Sequence, residues 1–188
     1  MPVALCPPHS SRYSGRSVVD LRAYDELHSI RMVREMVRSW WKLEIAYADP
    51  SGYVLDHADG NIFPSGNEFC RVALHSKEGF RRCNESVKAL RASKNKSVIL
   101  RQCHLGFDLV AAPIHFDDEL VGFLFTGGAV HEELKNSDRS QLLSKVKEFS
   151  SADAAAMDEA VGRIPMMSLA ELAHLQSLVE YGAQEIMK

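Results

Sequence analysis

Long apolar runs are missing from this sequence. No stretch reaches the ~20 residues that a helix needs to cross a bilayer. The first residues, Met1-Pro2-Val3-Ala4-Leu5-Cys6-Pro7-Pro8, have neither the basic start nor the apolar stretch of a secretory signal. An excess of one charge is missing too. The 22 basic and 25 acidic residues are mixed along the chain, for a net charge of −3. With no Lys/Arg block, direct nucleic-acid binding is disfavoured. There is no Gly-rich phosphate loop, no Gly-x-Ser-x-Gly elbow, no His-Glu-x-x-His and no dinucleotide-binding fingerprint. Each absence removes a common enzyme class, and the sequence reads as a non-enzyme. Cysteine is scarce, with four in the chain. Without an export signal they are expected in a reducing cytoplasm, where spaced cysteines serve metal binding, redox chemistry or packing more often than a disulfide framework.

What is present is ordinary globular material: 188 residues, 46% hydrophobic, enough for one core and one domain. Residues 1–16, with Pro7-Pro8 and a Ser/Arg/Gly mixture, read as a mobile leader. From Val18 to Trp41 the pattern is helical. Ile30, Val33, Val37 and Trp40 recur at helical spacing, and Met32, Met36 and Trp41 broaden the stripe into a docking or dimer helix. Two strand-like runs around Pro50-Ser51-Gly52 predict a hairpin over residues 44–56. Ser65-Gly66-Asn67-Glu68 fits a capping box opening a short helix through Phe69, Cys70, Ala73 and Leu74. A second helix aligns Phe80, Cys83, Val87 and Leu90.

Strands are then expected at Ser97–Cys103, Leu109–Phe116 and Glu119–Thr126. Asp117-Asp118 turns the last pair, and Gly127-Gly128 closes the final strand while letting backbone approach a ligand. A second capping box, Ser168 with Glu171, starts the last helix. Its stripe Leu172, Leu175, Val179, Gly182 and Ile186 is a heptad seam two repeats long, suited to a connector or a dimer stalk. The predicted organisation is a leader over 1–16, a sensory domain over 17–165 and a connector or dimerisation helix over 166–188. The element order predicts an α+β fold of PAS or GAF type. It consists of a mainly antiparallel sheet of about five strands, with helices packed on it and flanking helices at both ends.

Cys70, Cys83 and Cys103, the last followed by His104, carry the most chemistry. Three thiols and an imidazole supply four soft ligands, enough for tetrahedral zinc or an iron–sulfur centre. Their separations of 13 and 20 residues are not those of a short Cys-x-x-Cys knuckle, and buried cysteine packs readily as a small hydrophobe. A Cys–His nucleophile is the third alternative. Adjacent strand residues face opposite sides, which argues against Cys103 and His104 acting together. Ligand pockets are mostly apolar and aromatic. Phe69, Phe107 and Phe125, which lie near glycines or cysteines, are therefore candidate pocket residues, and Trp41 is added as a fourth.

The motifs Asn67-Glu68-Phe69-Cys70, Gly79 with Cys83, Cys103-His104-Leu105-Gly106, Ala112-Pro113-Ile114 and Leu120–Gly128 occur in order. Together they resemble the PocR sensory domain over approximately Leu27 to Val130. The resemblance implies a PAS-like module of bacterial regulators that binds small hydrocarbon derivatives such as short diols. It also implies an output domain or partner signalling protein, reached through flanking helices, and carries the cysteine pattern to Cys70, Cys83 and Cys103 with His104 and Gly106. The expected partners are a small-molecule ligand, that output partner and a second copy in a homodimer, with no membrane. A metal- or redox-sensing domain built on Cys70, Cys83, Cys103 and His104 is the alternative, and a cysteine-dependent enzyme the third.

Overall fold

The computed structural model describes residues 19–55, 67–74, 76–93, 98–100, 103–131, 136–148 and 154–188. The expected leader lies outside these residues, as do Ser65 and Gly66 of the first expected capping box. The elements are a 3-10 turn (Leu21–Glu26), α1 (His28–Trp41), β1 (Ile45–Ala48), α2 (Glu68–Leu74), α3 (Lys77–Val87) with a 3-10 extension (Lys88–Ser93), β2 (Val98–Leu100), β3 (Asp108–Phe116), β4 (Glu119–Ala129), α4 (Asn136–Lys147), α5 (Ala154–Val161) and α6 (Leu169–Ile186).

Among the described residues four strands form one antiparallel sheet in the order β1-β4-β3-β2. The fifth expected strand, the return arm of the first hairpin, is not formed among the described residues, and the reason is local. The Asp49 carboxylate accepts the Ser51 and Tyr53 N–H groups at 2.8 Å each, and Gly52 turns with φ +81. Within the described residues the hairpin's return arm then pairs at the single Ala48–Val54 bridge. The Val54 N–H is donated to Asn84 Oδ1 at 2.9 Å, so it is spent on α3 rather than on a neighbouring strand. The Asp117-Asp118 turn is as expected, both residues being left-handed with φ 49 and 63.

Strand alternation builds two cores. Ala46, Ala48, Leu109, Ala111, Phe123 and Phe125 face a layer containing α2, α3, α4 and α5. Their neighbours Ile45, Tyr47, Val110, Ala112, Ile114 and Leu124 face α1 and α6 on the other side. A sheet covered on both faces explains why Val121–Phe125 is apolar without alternation. The strand does not stop at Gly127-Gly128, as expected. It bulges there, with Leu109 opposite Gly127 and Asp108 opposite Ala129, and the bulge turns Ala129 towards the second core.

The stripe expected on α1 is corrected, and the seam expected on α6 is placed. On α1 the buried stripe is Ile30, Val33, Val37 and Trp41, while Trp40 is exposed. On α6 the seam Leu172, Leu175, Val179, Gly182 and Ile186 is buried against this chain's own sheet. A Cβ built on Gly182 would stand 2.8 Å from Leu124 Cδ2, so the missing side chain is what lets α6 lie so close to β4. The Ser168–Glu171 capping box forms as expected.

Candidate functional site

The three cysteines come from three segments and meet at one cavity. Cys70 sits on α2, whose start is set by Asn67: its Oδ1 accepts the Cys70 N–H at 3.1 Å, and its Nδ2 donates to the Gly128 carbonyl. Among the described residues Asn67 is the cap, and it fastens α2 to the bulge of β4. A Cβ on Gly128, which has φ +97, would stand 3.1 Å from Asn67 Cβ and 3.4 Å from Cys70 Sγ. Only glycine accepts both that backbone and that approach.

Cys83 is carried by α3, started by Ser76, which accepts the Gly79 N–H at 2.9 Å. Cys103 and His104 are not on a strand. They open a tight turn in which the Cys103 N–H donates to the Phe107 carbonyl at 2.9 Å and the Gly106 N–H to the Cys103 carbonyl at 2.7 Å. Within it the Leu105 N–H points at Cys103 Sγ, 3.4 Å away. The His104 N–H is donated to Ser86 Oγ at 2.9 Å, which ties the turn to α3. Because the chain turns here, the opposite-face argument for strand residues does not apply, and both residues reach the cavity wall.

Cys70, Leu74, Cys83, Ser86, Cys103, His104, Leu105, Phe107, Leu109, Phe125 and the backbone of Gly127-Gly128 enclose a cavity of about 30 Å³. Of the eight residues singled out from sequence, Cys70, Cys83, Cys103, His104, Phe107 and Phe125 line it. Phe69 stands one layer back, edge-on to Phe107 with ring centroids 5.9 Å apart. Trp41 is placed in the opposite core, on the far side of the sheet. Asn67 and Ser86 escaped the sequence reading. Asn67 had a signal, since it is a good cap residue directly before a helix. Ser86 had none beyond lying one turn after Cys83.

Burial keeps Cys83, Cys103 and His104 of the cavity wall uncharged. Burial, and then the neighbouring Cys103, push the Cys83 thiol up to about 12. Burial also raises Cys103, against the opposing pull of the Leu105, Phe107 and Gly106 amides and of Lys145. Burial, then Arg82 and Lys145, lower His104 to about 4. Near pH 7 these two thiols are protonated and the imidazole is uncharged. A reactive cysteine needs thiolate character at working pH, and neither of these thiols has it. Cys70, Cys83, Cys103 and His104 are the set the sequence offered for a soft metal. Among the described residues, however, no three His, Cys, Asp or Glu side chains are already placed to bind one.

The cavity wall leads directly to the last helix. Beyond the bulge, the Val130 N–H donates to the Pro165 carbonyl at 3.0 Å, and the Met167 N–H donates to the Val130 carbonyl at 2.7 Å. Met167 is followed by Ser168, the cap of α6. At the same end of the sheet, buried Asp108 pairs with His131 Nδ1 at 2.8 Å, a contact the sequence did not announce.

The family model for the sensory domain found in PocR matches residues 27–188. The chain belongs to the PocR sensory-domain family. No curated protein and no solved structure matches it. The PocR match takes in every cavity residue and both long helices, α1 and α6, so it reaches well beyond the Leu27–Val130 stretch where the motifs lie. A sensory, ligand-binding domain is therefore shown for this chain. No helix among its described residues is long and apolar enough to cross a membrane.

Proposed function

We propose that this PocR domain senses a small uncharged organic molecule, of the short-diol or alcohol class, at the thiol-lined cavity between α2, α3 and β4. The observation that carries the reading is convergence. Three cysteines far apart in sequence, two phenylalanines and a pair of glycines enclose one apolar space. Ligand sites are typically apolar with a few orienting polar groups, and here Ser86 Oγ, the His104 ring and the thiols supply those groups.

The cavity is small. An apolar cavity of about 150 Å³ is enough for benzene, so one of about 30 Å³ has to open to take a five-heavy-atom diol. Opening means moving α2 or the Cys103–Phe107 turn off the β4 bulge, which strains the Asn67–Gly128 bond and the Val130–Met167 link. Ligand binding thus favours a second arrangement of the β4 end and α6, to the extent that its affinities for the two arrangements differ. In this reading α6 is the connector to an output domain or partner signalling protein of a cytoplasmic regulator. The order of two extended segments, helices and three strands supports a PAS-like assignment of the fold.

The test is thermal unfolding with 1,2-propanediol, 1,3-propanediol and a series of short alcohols. A binding molecule at ~100 times its Kd stabilises by about 2.7 kcal/mol, which moves Tm by about 5–10 °C in a domain of this size. Phe125→Trp, which fills the space, should abolish the shift while the variant stays folded. Metal, iron and acid-labile sulfide measured on anaerobically purified protein form the second arm. Near-stoichiometric metal that is lost in Cys70→Ser, together with no response to any diol or alcohol, would overturn the organic-ligand reading in favour of a metal sensor.

A further inference from the structure

The outer side of the α1–α6 layer presents an apolar face. Eight large hydrophobic residues are exposed among those described, and all but Tyr53 lie on α1, on α6 or beside their ends. Trp40 is 63% exposed, Tyr181 47%, Met32 44% and Leu27 37%. Scattered exposed hydrophobics need no explanation, but a concentration on one layer does. The two helices run antiparallel. Trp41 near the end of α1 bonds Glu171 at the start of α6, and Gly182 lies beside Ile30 and Val33. Between them runs an open groove of about 640 Å³, floored by Val33 and walled by Leu27, Met32, Met36, Leu178 and Tyr181. This is not the seam read from the sequence, which is spent on the sheet. It is the next face round the same helix.

We propose that this face is the contact between two copies of the chain, stacked so that α1 of one copy lies over α6 of the other. Charge selects the occupant and the arrangement. Two of the three arginines of α1 are engaged within the chain, Arg34 with Asp25 and Arg38 with Glu44 and Glu35, so exposed Arg31 is the cation that α1 turns outward. Helix α6 has three glutamates and no lysine or arginine, for a net −3 with His174 neutral. A two-fold contact uses the same patch on both copies. An axis across the helices would set α1 on α1 and α6 on α6, keeping Arg31 away from the glutamates of α6. An axis parallel to the helices sets α1 on α6 twice, with exposed Arg31 of each copy opposite the Glu180–Glu185 stretch of the other.

The size is sufficient. Two helices side by side, the longer of 18 residues, offer a footprint of about 27 Å by 20 Å on helix dimensions. Two such faces bury about 1,000 Å², the threshold of a specific interface. The proposal deepens the relay reading, because α6 then carries a shift of the β4 end straight into the dimer contact. It can fail separately, since its test reads mass and not ligand.

Sedimentation velocity on the whole chain from about 1 to 100 μM gives twice the 21.0 kDa monomer mass if the inference holds. Met32→Glu and Tyr181→Glu, both at exposed positions, give monomers with unchanged far-UV circular dichroism. Arg31→Glu weakens association at least tenfold, and adding Glu180→Arg restores it. Mixing Met32→Cys with Tyr181→Cys protein yields a disulfide-linked pair under oxidation, whereas Met32→Cys alone yields little. A monomer at every concentration overturns the proposal. So does a dimer indifferent to both Glu substitutions, or one in which Met32→Cys links to itself.

Discussion

The two faces of the sheet are built from the same strands and are physically different. The α1–α6 face is closed by two long helices that bury aliphatic stripes against Ile45, Val110, Ile114 and Leu124. The cysteine face is roofed by shorter helices, and its buried polar set includes Asn67 and Asn84 as well as thiols and an imidazole. One face has the apolar fill of a structural core. The other keeps a small space and a set of side-chain bonds that can be exchanged. A protein that must change shape on binding needs both, since a fully packed interior has nowhere to admit a ligand.

Adjacent residues of β4 test this division most strongly. Phe125→Ala on the cysteine side should cost about 3–5 kcal/mol and Leu124→Ala on the other side about 2–5 kcal/mol, read by urea unfolding. Only Phe125→Ala enlarges the cavity, so only that variant should bind a bulkier alcohol than the parent does. Equal probe binding by both variants would break the comparison. Next come the two glycines. Gly182→Val forces a side chain against Leu124 and should cost about 1–3 kcal/mol by overpacking. Gly128→Ala places a Cβ at positive φ beside Asn67 and should cost about 1–3 kcal/mol through backbone strain. If the division is sound, Gly128→Ala shifts diol binding and Gly182→Val does not.

Asn67→Ala removes the bond to Gly128 and the cap of Cys70 together, with an expected loss of about 1–3 kcal/mol. Ser168→Ala removes a capping box on the other face and should cost about 1 kcal/mol. Smaller still is the acid response of His104, whose partly solvated ring is screened. Its folded pKa of about 4 lies below the ordinary 6.5, so the unfolded chain takes up the proton first. The resulting stability is fully present above pH 6.5 and is lost as pH falls towards 4. The urea midpoint should therefore fall more steeply between pH 6.5 and 4.5 in the parent than in His104→Gln. Equal slopes would refute the assignment.

Much of this was legible in the residues. The strand alternation, the Asp117-Asp118 turn, the Ser168 capping box and the membership of Cys70, Cys83 and Cys103 in one neighbourhood follow from periodicity, turn chemistry and motif order. The errors share a cause. Trp40 and Trp41 are adjacent, so a stripe drawn through either fits helical spacing, and only the angle at which α1 meets the sheet buries Trp41. The α6 seam has the spacing of a dimer stalk, but the same spacing serves a helix lying on its own sheet. Trp41 looked like a pocket residue because aromatic character does not say which side of a sheet a residue occupies.

The sequence by itself determined the local chemistry: which segments extend, where they turn, which helices are capped and which residues are soft or apolar. These depend on φ/ψ preference, side-chain spacing and bonds only a few residues long. Tertiary structure alone decided that Asn67 reaches across 61 positions to Gly128, that the Cys103 turn is held by Ser86, and that the cavity is nearly closed. Those outcomes rest on how closely separate elements pack, and ångström differences in packing have no signature in the order of residues.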